Sequence, residues 1–208
     1  MHLSDEASPL LAMLADPGAP GAESLRAGDL NSARSAYEAA LGSDPTKLGA
    51  LNDLAVAYAV AGHPQAARRL LDEVLSGGDT LAQQAALVNM GELHASEGYL
   101  SAASVCLETA RGLDRGRPEP VYALALLADS RGDLAQGRSL MKEAMALDEG
   151  GGARSAFAYV YPEERVHLQG LVAEMLGDRV NAMARWRELS NGRFASLAAA
   201  AERHLAGE

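Results

Sequence analysis

Five glycines recur along the chain: Gly28, Gly62, Gly98, Gly132 and Gly177, at spacings of 34, 36, 34 and 45 residues. Each follows a helix-like run and precedes a helix-start signal: Asp29-Leu30, His63-Pro64, Tyr99-Leu100-Ser101, Asp133-Leu134 and Asp178. Glycine adopts the left-handed conformation that closes a helix. Asp or Ser caps the helix that follows, and Pro64 suits a first helical position. Every glycine therefore marks the tight turn of a helical hairpin, and a regular period of hairpins demands a stacked, repetitive fold.

The helix after each turn carries one face in constant register. Five residues beyond the glycine stands a small residue: Ala33, Ala67, Ala103, Gly137 or Ala182. Four further comes a large one, Tyr37, Leu71, Leu107, Met141 or Trp186. Three more bring Ala40, Val74, Ala110, Ala144 and Leu189. These offsets lie on one helical face, where a small side chain permits close crossing of two helices. The first helices are patterned too, as in Leu51, Leu54, Ala55 and Tyr58 before Gly62, or Val121, Leu124, Ala125 and Ala128 before Gly132. Pro45 stops the first repeat. The pattern resembles the tetratricopeptide repeat (TPR) family over residues 21–190. That resemblance implies an all-α solenoid of about five antiparallel hairpins in a right-handed superhelix, with first helices lining a concave groove.

The departures define the segments between and around the repeats. Pro17, Gly18, Pro20 and Gly21 shorten the first helix of the first repeat. About eleven extra residues, near 149–162, separate the fourth and fifth repeats. Residues 191–208 read as a capping helix, which a solenoid needs to cover its last apolar face. Residues 1–20 form an N-terminal segment in which Leu10, Leu11, Met13 and Leu14 after Ser8-Pro9 suggest a short helix.

Composition narrows the function. Hydrophobic residues make up 48% and aromatics only 4%, so the core is built from Leu, Ala, Val and Met. A formal net charge of -10 disfavours nucleic acid and anionic membranes and steers basic partners toward the surface. Nothing approaches the roughly 18 apolar residues of a membrane span. Asp5 and Glu6 stand where a secretory leader wants positive charge. The cytoplasm is the expected location, or the periplasm if a leader has been removed. Ala, Gly and Arg abundance hints at a bacterial origin.

Catalytic motifs are lacking. Gly150-Gly151-Gly152-Ala153-Arg154-Ser155 has no P-loop lysine, and G-x-S-x-G is absent. No two of the five histidines have zincin spacing. Glu92, His94 and Glu97 do not share one helical face. Cys106, the single cysteine, has no neighbouring base to lower its pKa. No cofactor, metal site or catalytic residue is expected, and the chain reads as a non-enzyme.

The resemblance places Asn52, Val56, Val88, Glu92, Tyr122, Leu126, Asp129, His167, Leu171 and Glu174 on the groove. This apolar and acidic lining suits a basic or apolar peptide or helix of a partner protein. It lacks the basic residues around Asn89 with which some family members clamp a terminal carboxylate. Phe157, Tyr159 and Tyr161 alternate in the insert, so an extended strand sets all three on one side. They either pack on the last hairpin or form a binding loop over the groove. The expected function is an adaptor supporting assembly of a multiprotein complex, with an envelope assembly factor for a pilus, secretin or motility machine as the alternative. Self-association is a further possibility, and an enzyme or small-molecule sensor the remote one.

Overall fold

The computed structural model describes residues 6–152, 156–158 and 160–207. Among these, eleven helices follow in order: α1 (Pro20–Arg26), α2 (Leu30–Ser43), α3 (Leu48–Val60), α4 (Pro64–Leu75), α5 (Thr80–Ser96), α6 (Leu100–Leu113), α7 (Glu119–Ser130), α8 (Leu134–Leu147), α9 (Pro162–Met175), α10 (Arg179–Leu189) and α11 (Ala195–Ala206). Consecutive helices pack as hairpins: α1 on α2, α3 on α4, α5 on α6, α7 on α8 and α9 on α10. The first helices stand in a row, α3 against α5, α5 against α7 and α7 against α9. The result is an all-α solenoid.

The five turn glycines all have positive φ, between 73° and 88°. In each turn the N–H of the following residue reaches back to close the helix, as in His63 N–H to Tyr58 O at 2.9 Å and Asp178 N–H to Ala173 O at 2.8 Å. These bonds satisfy carbonyls that a helix end leaves open. Asp29, Asp133 and Asp178 then cap the next helices by accepting from Ser32, Gln136 and Asn181 N–H.

Inside each hairpin a small residue on one helix receives a large one from the other. A Cβ built on Gly91 of α5 would lie 3.0 Å from Leu107 of α6. One on Gly170 of α9 would lie 2.6 Å from the Trp186 ring. The register residues Ala33, Ala67, Ala103, Tyr37, Leu71, Leu107, Met141 and Trp186 are all buried. Ala40 is only half-buried, in keeping with the seven-residue α1 that opposes α2.

The N-terminal segment departs from the expected short helix. Residues 7–15 form no helix, and Ala12–Met13 (β1) pairs antiparallel with Phe157–Ala158 (β2), Ala12 opposite Ala158 and Met13 opposite Phe157. The segment's backbone donors are taken by the first helices instead of by a helical turn of its own. Leu10, Leu11 and Met13 join the core of the C-terminal repeats. Ala12 and Leu14 join the core around Tyr37, Leu54 and Val56. The strand is thus buried on both faces and ties two cores together.

Leu107→Ala should cost roughly 2–5 kcal/mol, the transfer energy plus the cavity left behind. Gly91→Ala should cost about 1–3 kcal/mol by overpacking the same contact. Combined, the pair should be less destabilising than the sum, because the methyl introduced in place of the Gly91 hydrogen fills space vacated by the Leu107 side chain. Urea unfolding of the four proteins measures the coupling, and strict additivity would mean the two positions do not meet.

Candidate functional site

The face made by α3, α5, α7 and α9 is where the groove was expected, and the chain's own residues fill it. Asn89 of α5 makes a two-way contact with Met13: Met13 N–H donates to Asn89 Oδ1 at 2.6 Å, and Asn89 Nδ2 donates to Met13 O at 2.9 Å. Asn52 of α3 donates to the same carbonyl at 3.0 Å, and its Oδ1 accepts from Asn89 at 2.8 Å. Ala15 and Asp16 N–H both go to the Asp53 carboxylate, at 2.7 and 3.2 Å. Leu10 N–H donates to Glu92 Oε2. Ser8 N–H reaches Ala95 O at 2.8 Å, and Leu14 N–H reaches Ala156 O in the insert at 2.7 Å. Side chains on helices thereby serve an extended backbone much as a neighbouring strand does. Buried backbone groups left unpaired would cost too much to keep the strand there.

The insert closes over this strand. Phe157 lies edge-on to Tyr122, ring centroids 6.0 Å apart. Tyr161 meets Phe194 edge-on at 5.1 Å, with the Arg193 guanidinium 4.9 Å from its ring. Glu164 of α9 accepts Val160 and Tyr161 N–H at 3.0 and 2.9 Å. Tyr159 lies outside the described residues. Phe157 and Tyr161 thus pack back on the repeats while covering the first-helix face.

Of the remaining groove positions, Val56, Val88, Tyr122, Leu126 and Leu171 are buried. Residues lining an open groove would face solvent, whereas these share their cores with residues of the N-terminal segment, the insert and α11. Asp129 and His167 are fully buried and Glu174 partly so, and the three build a polar network under α11. Asp129 Oδ2 lies 2.7 Å from His167 Nε2, and its Oδ1 lies 2.8 Å from His204 Nε2. His204 Nδ1 lies 2.8 Å from Glu174 Oε1, which also accepts the Trp186 indole N–H at 2.8 Å. The His204 ring stacks on Trp186 at 4.1 Å. Sequence reasoning did not single out Asp53, Glu164 or His204. A signal was available: single polar residues set in helices that are otherwise apolar all round, as in Leu-Asn-Asp-Leu-Ala-Val of α3.

The buried charges are tuned differently. Burial opposes the His204 imidazolium, but the hydrogen bonds and charges of Asp129 and Glu174 outweigh it and raise His204 to about 9. Burial would raise Asp129, yet the two histidines hold it well below the usual carboxylate range. Burial pushes Asp53 up to about 6 against its amide hydrogen bonds. Burial also pushes the half-buried Cys106 thiol up, which keeps it unreactive. Among the described residues, no group of three or more His, Cys, Asp or Glu is arranged to hold a metal ion, and no helix is long and apolar enough to cross a membrane.

A histidine raised in the fold stabilises fully below its unfolded value and loses that contribution as pH rises through the folded value. His204 should therefore stabilise the protein by on the order of 2–3 kcal/mol near pH 6.5, and that margin should fade as pH rises through about 9. Measured by urea unfolding, the gap between the parent and His204→Gln should narrow between pH 7 and 10. A gap constant with pH would mean that His204 is not held as an imidazolium.

Residues 24–91 match the model of the tetratricopeptide repeat family. No curated protein matches the chain. Among solved structures, Cut9 in the APC/C hetero-tetramer Cut9–Hcn1 aligns with a TM-score of 0.57 at 17% identity, covering 81% of this chain and 31% of that one. MamA aligns with a TM-score of 0.47 at 21% identity, over 90% of this chain and 97% of that one. The Cut9 likeness speaks to the fold alone. The hairpin register, the family match over residues 24–91 and the Cut9 likeness agree on the fold, an all-α solenoid of TPR type.

Proposed function

We propose that the protein is a non-catalytic scaffold that holds an extended, apolar segment of a partner protein along its first-helix face, in support of a multiprotein assembly. The observation that carries this reading is the resident strand. Residues 7–16 lie on that face as a bound peptide would, with backbone groups met by Asn52, Asp53, Asn89 and Glu92. Their side chains fill apolar space on both sides. A solenoid of this kind binds proteins, and the Cut9 relative sits in a hetero-tetramer.

The resident strand also defines the chemistry of a partner. Helix side chains take up backbone N–H at positions equivalent to Leu10, Met13 and Ala15 and the carbonyl at Met13, so they select extended backbone rather than a helix. Apolar side chains flank a small residue at Ala12. Acidic flanks are disfavoured by the net charge of -10.

A fluorescein-labelled synthetic peptide of residues 7–16 is the direct probe, titrated into the full chain by fluorescence anisotropy. Met13→Asp weakens the resident strand, since Met13 is fully buried, and should raise peptide affinity by about tenfold or more. Adding Asn89→Leu should remove binding. A Met13→Asp protein that keeps its helical circular dichroism yet binds no peptide would refute the reading.

A further inference from the structure

Two glutamates hold the cover of the first-helix face from opposite sides, and they touch. Glu92 on α5 takes the N–H of Leu10 in the resident strand. Glu164 on α9 takes the N–H groups of Val160 and Tyr161 in the insert. The two carboxyls, 2% and 0% exposed, lie within hydrogen-bonding reach of each other. Carboxylates have no proton to donate, so this contact requires one proton on the pair. The geometry shows where it fits. Both Glu164 oxygens already accept backbone N–H groups, whereas Glu92 Oε1 is buried and meets no donor. A hydroxyl at Glu92 Oε1 directed at Glu164 satisfies both side chains.

We propose that this carboxyl pair is a proton-controlled latch: with the proton in place the strand and insert stay closed over the first-helix face, and its loss releases them for exchange with a partner segment. The release follows from charge alone. Two carboxylates in contact, away from water, repel strongly and lack a cation to offset them. The groups around the pair do not take over that role. Tyr161 faces both carboxyls and is a phenol held above its ordinary value by burial and by their charge. Arg193 is engaged by Glu163 at the rim, 3.0 Å from Nε to Oε1. Asp53 acts on the far end of the strand, at Ala15 and Asp16. The use of this latch for a partner rests on the reading of the face as a binding groove; the latch itself does not.

Burial is the chief cause that raises both carboxyls, Glu92 to about 8 and Glu164 well above its ordinary value. A carboxyl raised in the closed state stabilises closure fully below the ordinary value near 4.5 and loses that hold as pH climbs through about 8. Alkaline shift therefore opens the latch. Each proton released changes the opening equilibrium by up to about tenfold per pH unit in that window.

Hydrogen exchange on the full chain tests this directly. Protection of Leu10 to Ala15 amides, corrected for intrinsic chemical exchange, should fall by about tenfold per pH unit from pH 6.5 to 8. Amides of Leu124 to Ala128 in α7 should keep theirs. Glu92→Gln replaces the shared proton with a permanent amide donor while its oxygen still accepts from Leu10, so its profile should be flat, with Asp53 unchanged in both proteins. Wild-type protection that does not change with pH overturns the proposal without any variant. So does loss of α7 protection in parallel, or a Glu92→Gln profile that follows the wild type. The labelled 7–16 peptide, added at pH 6.5 and 8.5, separates the two ideas: a pH-dependent strand with no peptide binding at either pH leaves the latch standing and removes the groove reading.

Discussion

A backbone that enters an apolar interior must bring partners for its N–H and C=O groups, and this chain brings them on helices. Asn52, Asp53, Asn89 and Glu92 are the side chains that make an extended strand tolerable across the first-helix face. Much else depends on it. All twelve residues of α7 are buried, and α3 and α5 are apolar on several faces. Such helices need cover on the side away from their hairpin partners. The strand and the insert supply it, and the two-residue β pair between them joins chain segments some 145 residues apart.

Three sets of buried acids are handled by three different means. Asp129 and Glu174 meet histidine, so charge is balanced by charge. Asp53 accepts amide N–H groups at the half-buried end of the strand. Glu92 and Glu164 have only each other and backbone N–H groups, and a proton must stand in for a cation. The contrast gives the parts of the molecule opposite responses. The network under α11 is held by an imidazolium through the neutral range, so the last hairpin stays docked under conditions that release the strand. A device that opens one layer without melting the solenoid needs that difference.

The hairpins were legible because each rests on local chemistry repeated in register: a glycine able to take positive φ and a small residue facing a large one, joined in three of the five turns by an Asp cap. Gly91 against Leu107 and Gly170 against Trp186 are the physical content of that register. The first-helix face was not legible in the same way. Its residues were assigned to a groove by position, yet Leu126 and Leu171 are core, in one cluster with residues remote in sequence from the N-terminal segment, the insert and α11. Ser8-Pro9-Leu-Leu-Ala-Met-Leu has no alternation to reveal an extended form, since both of its faces are buried and all are apolar. His204 lies 30 residues from Glu174 and 75 from Asp129, distances at which sequence spacing carries no geometric information. Asn52, Asp53 and Asn89 were readable in principle, as lone polar groups in apolar helices that must have something to bind.

A tethered occupant changes what a partner has to do. The resident strand competes as an intramolecular ligand, at an effective concentration of about millimolar for a short flexible connection. A free partner at about micromolar concentration must then bind roughly a thousandfold more tightly to take half of the sites. Better contacts alone would require about 4 kcal/mol over a strand that already satisfies its backbone groups. Loosening the occupant is the other route. Opening that shifts about tenfold per pH unit closes much of that gap within two units, with no added contact. Selectivity then resides in the side chains that replace Leu10, Leu11, Met13 and Leu14, because backbone hydrogen bonds are common to any extended segment.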